Sequence, residues 1–410
     1  MVNFLENNKL LYNRQFGFRS KHSTVHGLTT ITEDLKRSID EGKLTCGVFI
    51  DLQKAFDTVD LDILLKKLQF YGFRGLTNDW FSSYLLGRKQ FVSLSGETSS
   101  YKNIRHGVPQ GSVLGPILFL IYINDLGRAI IYSKLYNFAD DTAILYSDHN
   151  PKRLKKRINI DLKLLLQWLK ANRIQLNVAK TEVVLFKNKS KRVNYNIKIK
   201  LDGKLIRFSK CTKYLGLLID ENLSFYNHKE NIINKLRTAN GALCMIRHYV
   251  PFTILRSMYF SLFQPHIHYG LQIWGQNLCP RSRINRLQRI AVRLITFSVF
   301  NAPSKPLFML AKIPTVSDYV FKLNILLAHD ILNLASPVAV QQVLNLQFLP
   351  ERYLTRGKEI KLLKRPYVRT TKYGINSMRY QIVLNWNSLQ KLFNTIDLAS
   401  LRRIRINKLL

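Results

Sequence analysis

Apolar and polar positions alternate along this chain with two periods. In "TCGVFIDL" (45–52) the apolar run is nearly continuous, which predicts a strand. From Asp60, "DLDILLKKLQFYG" sets Leu61, Leu64, Leu65 and Leu68 at helical spacing, with Gly72 as the stop, so a strand feeds a helix. "WFSSYLLGRKQFVSLSG" reads as helix, turn and strand. "HGVPQGSVLGPILFLIYINDL" places Gly107, Gly111 and Gly115 around Pro109 and predicts a helix opening at Pro116, a residue suited to the first helical position. That helix is apolar almost all round and is therefore expected to be buried. Leu135–Ala139 and Ala143–Tyr146 are two short apolar pieces, which predict a β-hairpin with Asp140 and Asp141 at its tip. An amphipathic helix, "PKRLKKRINIDLKLLLQWLKANRIQLN", the strand "TEVVLF" and a strand or hairpin, "KYLGLLID" (213–220), follow. Helical spacing with polar faces starts near Tyr226. A helix around 281–294 carries Arg286, Arg289 and Arg293 along one face and Ile284, Leu287, Ala291 and Leu294 along another. At the start, residues 1–30 read as polar and turn-rich, with a helix over Thr32–Ile39. Beyond about residue 300 the pattern weakens, and "NAPSKP" reads as a linker.

The paired acids conflict with their setting. Strand side chains alternate faces, so Asp140 and Asp141 cannot both reach solvent from a regular strand, and an unpartnered buried ion costs several kcal/mol or more. A hairpin tip resolves the conflict, because there both carboxylates can reach one cavity. Composition adds that the 410-residue chain, 46% apolar and 11% aromatic, can build real cores. Its 63 Lys and Arg against 26 Asp and Glu leave +37, which points to a polyanionic partner, nucleic acid before an anionic membrane. The most apolar run, "PILFLIYI", is far shorter than the roughly 20 residues of a spanning helix. The N-terminus lacks a signal-peptide pattern. Cys46, Cys211, Cys244 and Cys279 stand far apart, and are read as reduced and outside any zinc site.

Phosphoryl transfer with two cations about 3.5–4 Å apart needs carboxylates from separate segments. Asp51 ends one apolar strand and Asp140 and Asp141 sit in another element; if the two are neighbours in a sheet, the acids converge. Taken singly, a strand-end Asp is more often a cap and an Asp pair more often a turn. Their order changes that reading. "QFGFRSKHST", "GVFIDLQKAFDTVD", "HGVPQGSVLGPILFLIYINDL", "NFADDTAIL", "LNVAKTEVVLF" and "KYLGLLID" resemble, in sequence, the finger and palm motifs of reverse transcriptases. The motifs resemble those of non-LTR, LINE-like retrotransposons of the jockey type rather than those of retroviruses.

The resemblance implies roles residue by residue. Asp51 and Asp140 would hold two Mg²⁺ ions (Mn²⁺ as a substitute), with Asp141 assisting and the carbonyl of Leu52 adding an oxygen. Phe56 matches a steric gate against a ribose 2′-OH, and Gln110 and Gly111 a loop lining the incoming nucleotide. Arg19 matches a finger arginine on the triphosphate, with Lys21 beside it. Lys180 matches a lysine that protonates the pyrophosphate leaving group. Tyr214, Leu215 and Gly216 match the primer grip, and Arg286, Arg289 and Arg293 would lie along a duplex backbone. Several have a plainer alternative: a core ring for Phe56, solvated cations for Lys21 and the arginine stripe, a strand-edge lysine for Lys180, and packing for the 214–216 turn.

The resemblance implies an α+β, right-hand polymerase fold. Partial fingers would span 1–44, a ferredoxin-like palm 45–222, a helical thumb 223–299 and a C-terminal helical region 300–410. The implied activity is RNA-directed DNA polymerisation, with an RNA template, a DNA primer and dNTPs as partners and no membrane. The expected site of action is intracellular and nuclear. Few residues precede "QFGFR", and no Cys/His knuckle follows, so the chain reads as a 5′-truncated element. Two rival readings are an inactive relic that only binds nucleic acid, and a templated polymerase of a group II intron or RNA virus.

Overall fold

The structure, a computed structural model, describes residues 1–188, 199–276, 278–279, 281–349 and 362–393. The expected region 300–410 thus lies outside the described residues at 350–361 and 394–410. The chain forms two compact units, residues 1–27 with 43–215 and residues 28–42 with 216–410.

The first unit is built on five strands: β1 Leu44–Ile50, β2 Lys134–Phe138, β3 Asp141–Asp148, β4 Glu182–Phe186 and β5 Arg207–Phe208, in the order β5-β4-β1-β3-β2. β1 is antiparallel to both β3 and β4, β2 is antiparallel to β3, and β5 is parallel to β4. β1 is buried throughout, which explains its unbroken apolar run. Cys46, Val48 and Ile50 point to one face and join a core with Leu64 and Leu68 of the Leu61–Phe70 helix, Leu118 and Phe119 of the Leu114–Ile123 helix, and Leu154, Ile158 and Leu165 of the Pro151–Ala171 helix. Each such side chain, fully buried, contributes about 1.5–3 kcal/mol. Phe49 and Phe186 share the opposite face, their rings 6.5 Å apart.

Local chemistry sets the element ends. Asp60 caps its helix by accepting from Ile63 N at 3.0 Å, and Asn150 caps the next long one by accepting from Lys152 N and Arg153 N. The helix expected to open at Pro116 starts at Leu114. Ser112 Oγ accepts from Gly115 N at 2.9 Å, so the first turn forms earlier, and Pro116 still falls where a missing N–H has no intrahelical partner to lose.

Two expectations near the N-terminus are corrected. Val2–Asn7 is helical, and the helix placed over Thr32–Ile39 runs Thr24–Asp40. Leu28, Ile31, Leu35 and Ile39 form one buried stripe, and its burial outweighs the weak helix propensity of the threonines and Gly27.

The second unit is helical. The Tyr226–Ile246 helix packs on the Arg283–Ile295 helix, whose buried face is Ile284, Asn285, Gln288, Ala291, Val292 and Ile295. Leu287 and Leu294, placed by spacing on one face with Ile284 and Ala291, are only half-buried. The face turns because Gln288 is satisfied inside: it donates to Tyr259 Oη and to the Pro314 carbonyl, both at 3.0 Å, and accepts from Val316 N at 3.1 Å. "NAPSKP" is not a linker throughout, since Pro303 precedes the Ser304–Ala311 helix. Glu33 accepts from Met378 N and Arg379 N at the start of the Met378–Phe393 helix, where a carboxylate complements the helix dipole. Asp40 likewise accepts from Thr370 N and Thr370 Oγ1 at 2.8 and 2.7 Å. Among the described residues no helix is long and apolar enough to cross a membrane.

Candidate active site

The acids converge at one end of the sheet. The last β1–β3 pair is Ile50 with Thr142, so Asp51 and Asp141 follow one step beyond it, on the face that carries Phe49 and Ala143. The β2–β3 hairpin closes with Phe138 opposite Asp141, leaving Ala139 and Asp140 as its two-residue loop. Only Asp140 therefore sits at the tip, whereas Asp141 opens β3. Asp51 and Asp140 are half-buried, and Asp141 is exposed over much of its surface. Loss of water around the Asp141 carboxyl, then the negative charges of Asp140 and Asp51, raise its pKa; exposed Lys213 pulls the other way.

Support comes from both sides. Gln15, almost fully buried, turns its side-chain oxygen to Ala139 N at 3.1 Å and Gly17 N at 3.0 Å. Gly17 approaches so closely that a Cβ there would lie 2.5 Å from Ala139 N. On the other side, Gln53 N donates to Gln175 O and Asn177 N to Asp51 O, each at 2.9 Å. Asn177 Nδ2 also donates to Asp51 Oδ2 at 2.9 Å. This bridge uses the main-chain groups of Asp51 and Gln53 and not those of Leu52, whose side chain is buried. Lys180 is exposed on the same turn, its backbone N–H donating to the Asn177 carbonyl at 3.2 Å.

Phe56 is half-buried, stacked on Phe119 with ring centroids 4.3 Å apart and edge-on to exposed Phe18 at 6.1 Å. Gln110 is exposed and donates to Asp57 Oδ1 at 2.5 Å; Gly111 is exposed with φ 76° and open space around it. Gly107, at φ 88°, lets this loop reach the Phe56 turn: a Cβ there would meet Asp57 O at 2.9 Å.

Arg19 is deployed within the protein. Its Nε and terminal nitrogens donate to both Glu6 oxygens at 2.8 and 2.7 Å and to the carbonyls of Tyr12 and Gln15. Lys21 is exposed, with φ 58°. Tyr214 is buried with its hydroxyl 3.4 Å from the Tyr136 carbonyl, and burial pushes its phenol pKa up. Leu215 and Gly216 both have positive φ, 45° and 77°, as a tight turn requires. In the second unit Arg286 is exposed, Arg289 is half-buried, and Arg293 donates to the Ala302 carbonyl at 3.0 Å.

The sequence reading missed Gln15, Asn177 and Lys213. All three fall inside motifs already quoted, but a lone polar residue carries no signal of its distant partner.

The donor set at the acids is hard oxygen, which fits Mg²⁺ or Mn²⁺, and the charge crowding felt by Asp141 is what a cation would relieve. Among the described residues no group of three or more His, Cys, Asp or Glu is already disposed to hold an ion. Among the described residues none of the four cysteines is paired in a disulfide.

Known proteins bear on this arrangement. The chain is 29% identical over 317 residues to the RNA-directed DNA polymerase from mobile element jockey of Drosophila melanogaster, covering 74% of this chain and 34% of that protein. It is 30% identical over 307 residues to the probable RNA-directed DNA polymerase from transposon BS of the same species, covering 70% and 33%. It is 29% identical over 335 residues to the corresponding probable polymerase from transposon X-element, covering 78% and 36%. The chain thus spans about a third of the length of these relatives. Among solved structures, apo telomerase from Candida tropicalis is similar at TM-score 0.42 and 12% identity, over 72% of this chain and 49% of that one. Residues 1–219, which hold the five-stranded sheet and its acids, match the reverse transcriptase (RNA-dependent DNA polymerase) family, and the chain belongs to that family.

Proposed function

We propose that the chain catalyses RNA-directed DNA synthesis for a non-LTR retrotransposon, adding dNTPs to a primer 3′-OH. The observation that carries this reading is the convergence of Asp51 with Asp140 and Asp141 at the end of β1 and the β2–β3 hairpin. In this reading the first unit supplies fingers and a ferredoxin-like palm, and the second the thumb with Arg286, Arg289 and Arg293 toward the duplex.

The reaction forms a bond from the primer O3′ to the dNTP α-phosphorus and breaks the bond to pyrophosphate. The 3′-OH proton passes to solvent, and Lys180 gives a proton to the leaving pyrophosphate. Two bound divalent cations would lower the charge barrier between the nucleophile, the triphosphate and the acids. The chain's own work is placement: Asp51, Asp140 and Leu52 O present oxygens, Phe56 bounds the sugar, and Gln110 and Gly111 line the nucleotide. Arg19 would join the triphosphate by exchanging its Glu6 partnership for phosphate oxygens. The basic excess supplies sequence-independent affinity for template and primer.

Primer extension on an RNA template with Mg²⁺ and dNTPs tests this. The chain should extend the primer, and Asp51→Asn or Asp140→Asn should slow extension by orders of magnitude with template–primer affinity within about threefold. Normal extension by either variant would remove the site assignment. Tight binding with no extension by the unsubstituted chain would favour the binding-only relic.

A further inference from the structure

We propose that Asn177 is the positioning residue that sets the Asp51 carboxylate for cation binding, an inference that rests on the polymerase reading above. Its frame is fixed on both sides. Asn177 N donates to Asp51 O at 2.9 Å, while the Asn177 carbonyl accepts from Thr181 N at 3.0 Å and Thr181 Oγ1 at 2.9 Å, with Thr181 fully buried. The side chain has one orientation that satisfies its neighbours: Oδ1 accepts from Lys180 N at 3.3 Å, which turns Nδ2 toward Asp51 Oδ2 at 2.9 Å. One carboxylate oxygen is thereby fixed in place. The same residue therefore couples Asp51 to the turn that carries Lys180.

The residue type suits the task. A lysine here would fix Asp51 equally well but would neutralise it and compete with a cation. An aspartate would add a fourth negative charge to a site where Asp141 already feels two others. A neutral amide donor orients the acid and leaves its charge available.

The test uses the full chain with Asn177→Ala and Asn177→Ser. Both keep the main-chain bond to Asp51 O, and serine keeps a turn-forming hydroxyl. Mn²⁺ binding is followed by the electron paramagnetic resonance signal of the free ion, without nucleotide, beside the Mg²⁺ dependence of primer extension, template–primer affinity and Tm. Both variants should weaken Mn²⁺ binding and raise the Mg²⁺ concentration for half-maximal extension by about 5- to 20-fold. Template–primer affinity and Tm should stay near the parent's. If the parent binds Mn²⁺ and extends primers while either folded variant matches it in both, the positioning role is wrong and the polymerase reading stands. If the parent binds no Mn²⁺ that Asp51→Asn abolishes and extends no primer, the polymerase reading fails and this inference with it.

Discussion

The side-chain oxygen of Gln15 accepts a hydrogen bond from the backbone nitrogen of Ala139, the residue immediately before Asp140, at 3.1 Å. Ala139 holds φ at 55°, a left-handed conformation that costs an L-residue with a Cβ about 1–2 kcal/mol. The Gln15 bond, and the ladder that joins Phe16 N to the Asn137 carbonyl at 2.8 Å, hold the loop in that state. The "QFG" segment is therefore the bed on which the acidic hairpin lies.

Gln15→Ala should expose this dependence. Two buried N–H groups lose their acceptor, each at about 1–3 kcal/mol, so Tm should fall by several degrees. Asp140 would lose its fixed placement, and extension at saturating substrate should drop about 10- to 100-fold, the scale of a 1 Å misplacement. Melting curves and single-turnover extension measure both. A variant that melts early yet extends at the parent's rate would confine Gln15 to stability.

Phe56 is poised between two roles, with one face stacked on Phe119 and its edge against exposed Phe18. Phe56→Ala should lose part of the 3–5 kcal/mol of a full core truncation, roughly half for a half-buried ring. If the ring bounds the sugar, selectivity for dNTP over rNTP should fall about 10- to 100-fold. Competitive incorporation of the two nucleotides reads this directly. An unchanged ratio with a lowered Tm would assign Phe56 to the core.

How much of this was legible before the structure follows from what each signal measures. The β1 run, the apolar pieces flanking Asp140 and the Leu61–Leu68 spacing report local burial, and local burial is what periodicity encodes. The Thr24 helix start was hidden because its stripe of Leu28, Ile31, Leu35 and Ile39 is interrupted by threonines with weak helix propensity. The turned face of the Arg283–Ile295 helix was hidden because Gln288 looks like a surface residue until Tyr259, Pro314 and Val316 surround it. Gln15 and Asn177 were illegible for the same reason: their partners lie 124 and 126 residues away in sequence.

Asp148, at the far end of β3, is a structural carboxylate with a defined acid response. Its side chain is 2% exposed; Arg153 holds both its oxygens at 2.7 and 2.8 Å, and Arg157 one of them at 2.7 Å. The Arg153 hydrogen bonds lead in lowering its pKa from 3.8 to about 2. A depressed carboxylate contributes stability that is present above pH 3.8 and lost as pH falls through about 2. Asp148→Asn should lower Tm by about 2–4 °C at pH 7, and the gap to the parent should close between pH 4 and 2. A gap that persists at pH 2 would mean that packing, not charge, sets the loss.

Asp141 should behave in the opposite sense. Partial loss of water around its carboxyl, then the charges of Asp140 and Asp51, raise its pKa above the ordinary 3.8, so the folded chain holds this proton more tightly than the unfolded one does. A raised carboxylate contributes stability that is present below pH 3.8 and lost as pH rises through the folded-state value. At neutral pH without divalent cations, the ionised Asp141 therefore works against the fold. Asp141→Asn, measured in EDTA, should raise Tm by about 1–3 °C at pH 7 and give no gain near pH 3, where the parent carboxyl is already neutral. Adding Mg²⁺ or Mn²⁺ should raise the parent's Tm and narrow the difference, because a cation relieves the repulsion that the substitution removes. A variant no more stable than the parent at pH 7 in EDTA would show that the three acids are too well solvated to repel one another, and would weaken the case that they share a cation.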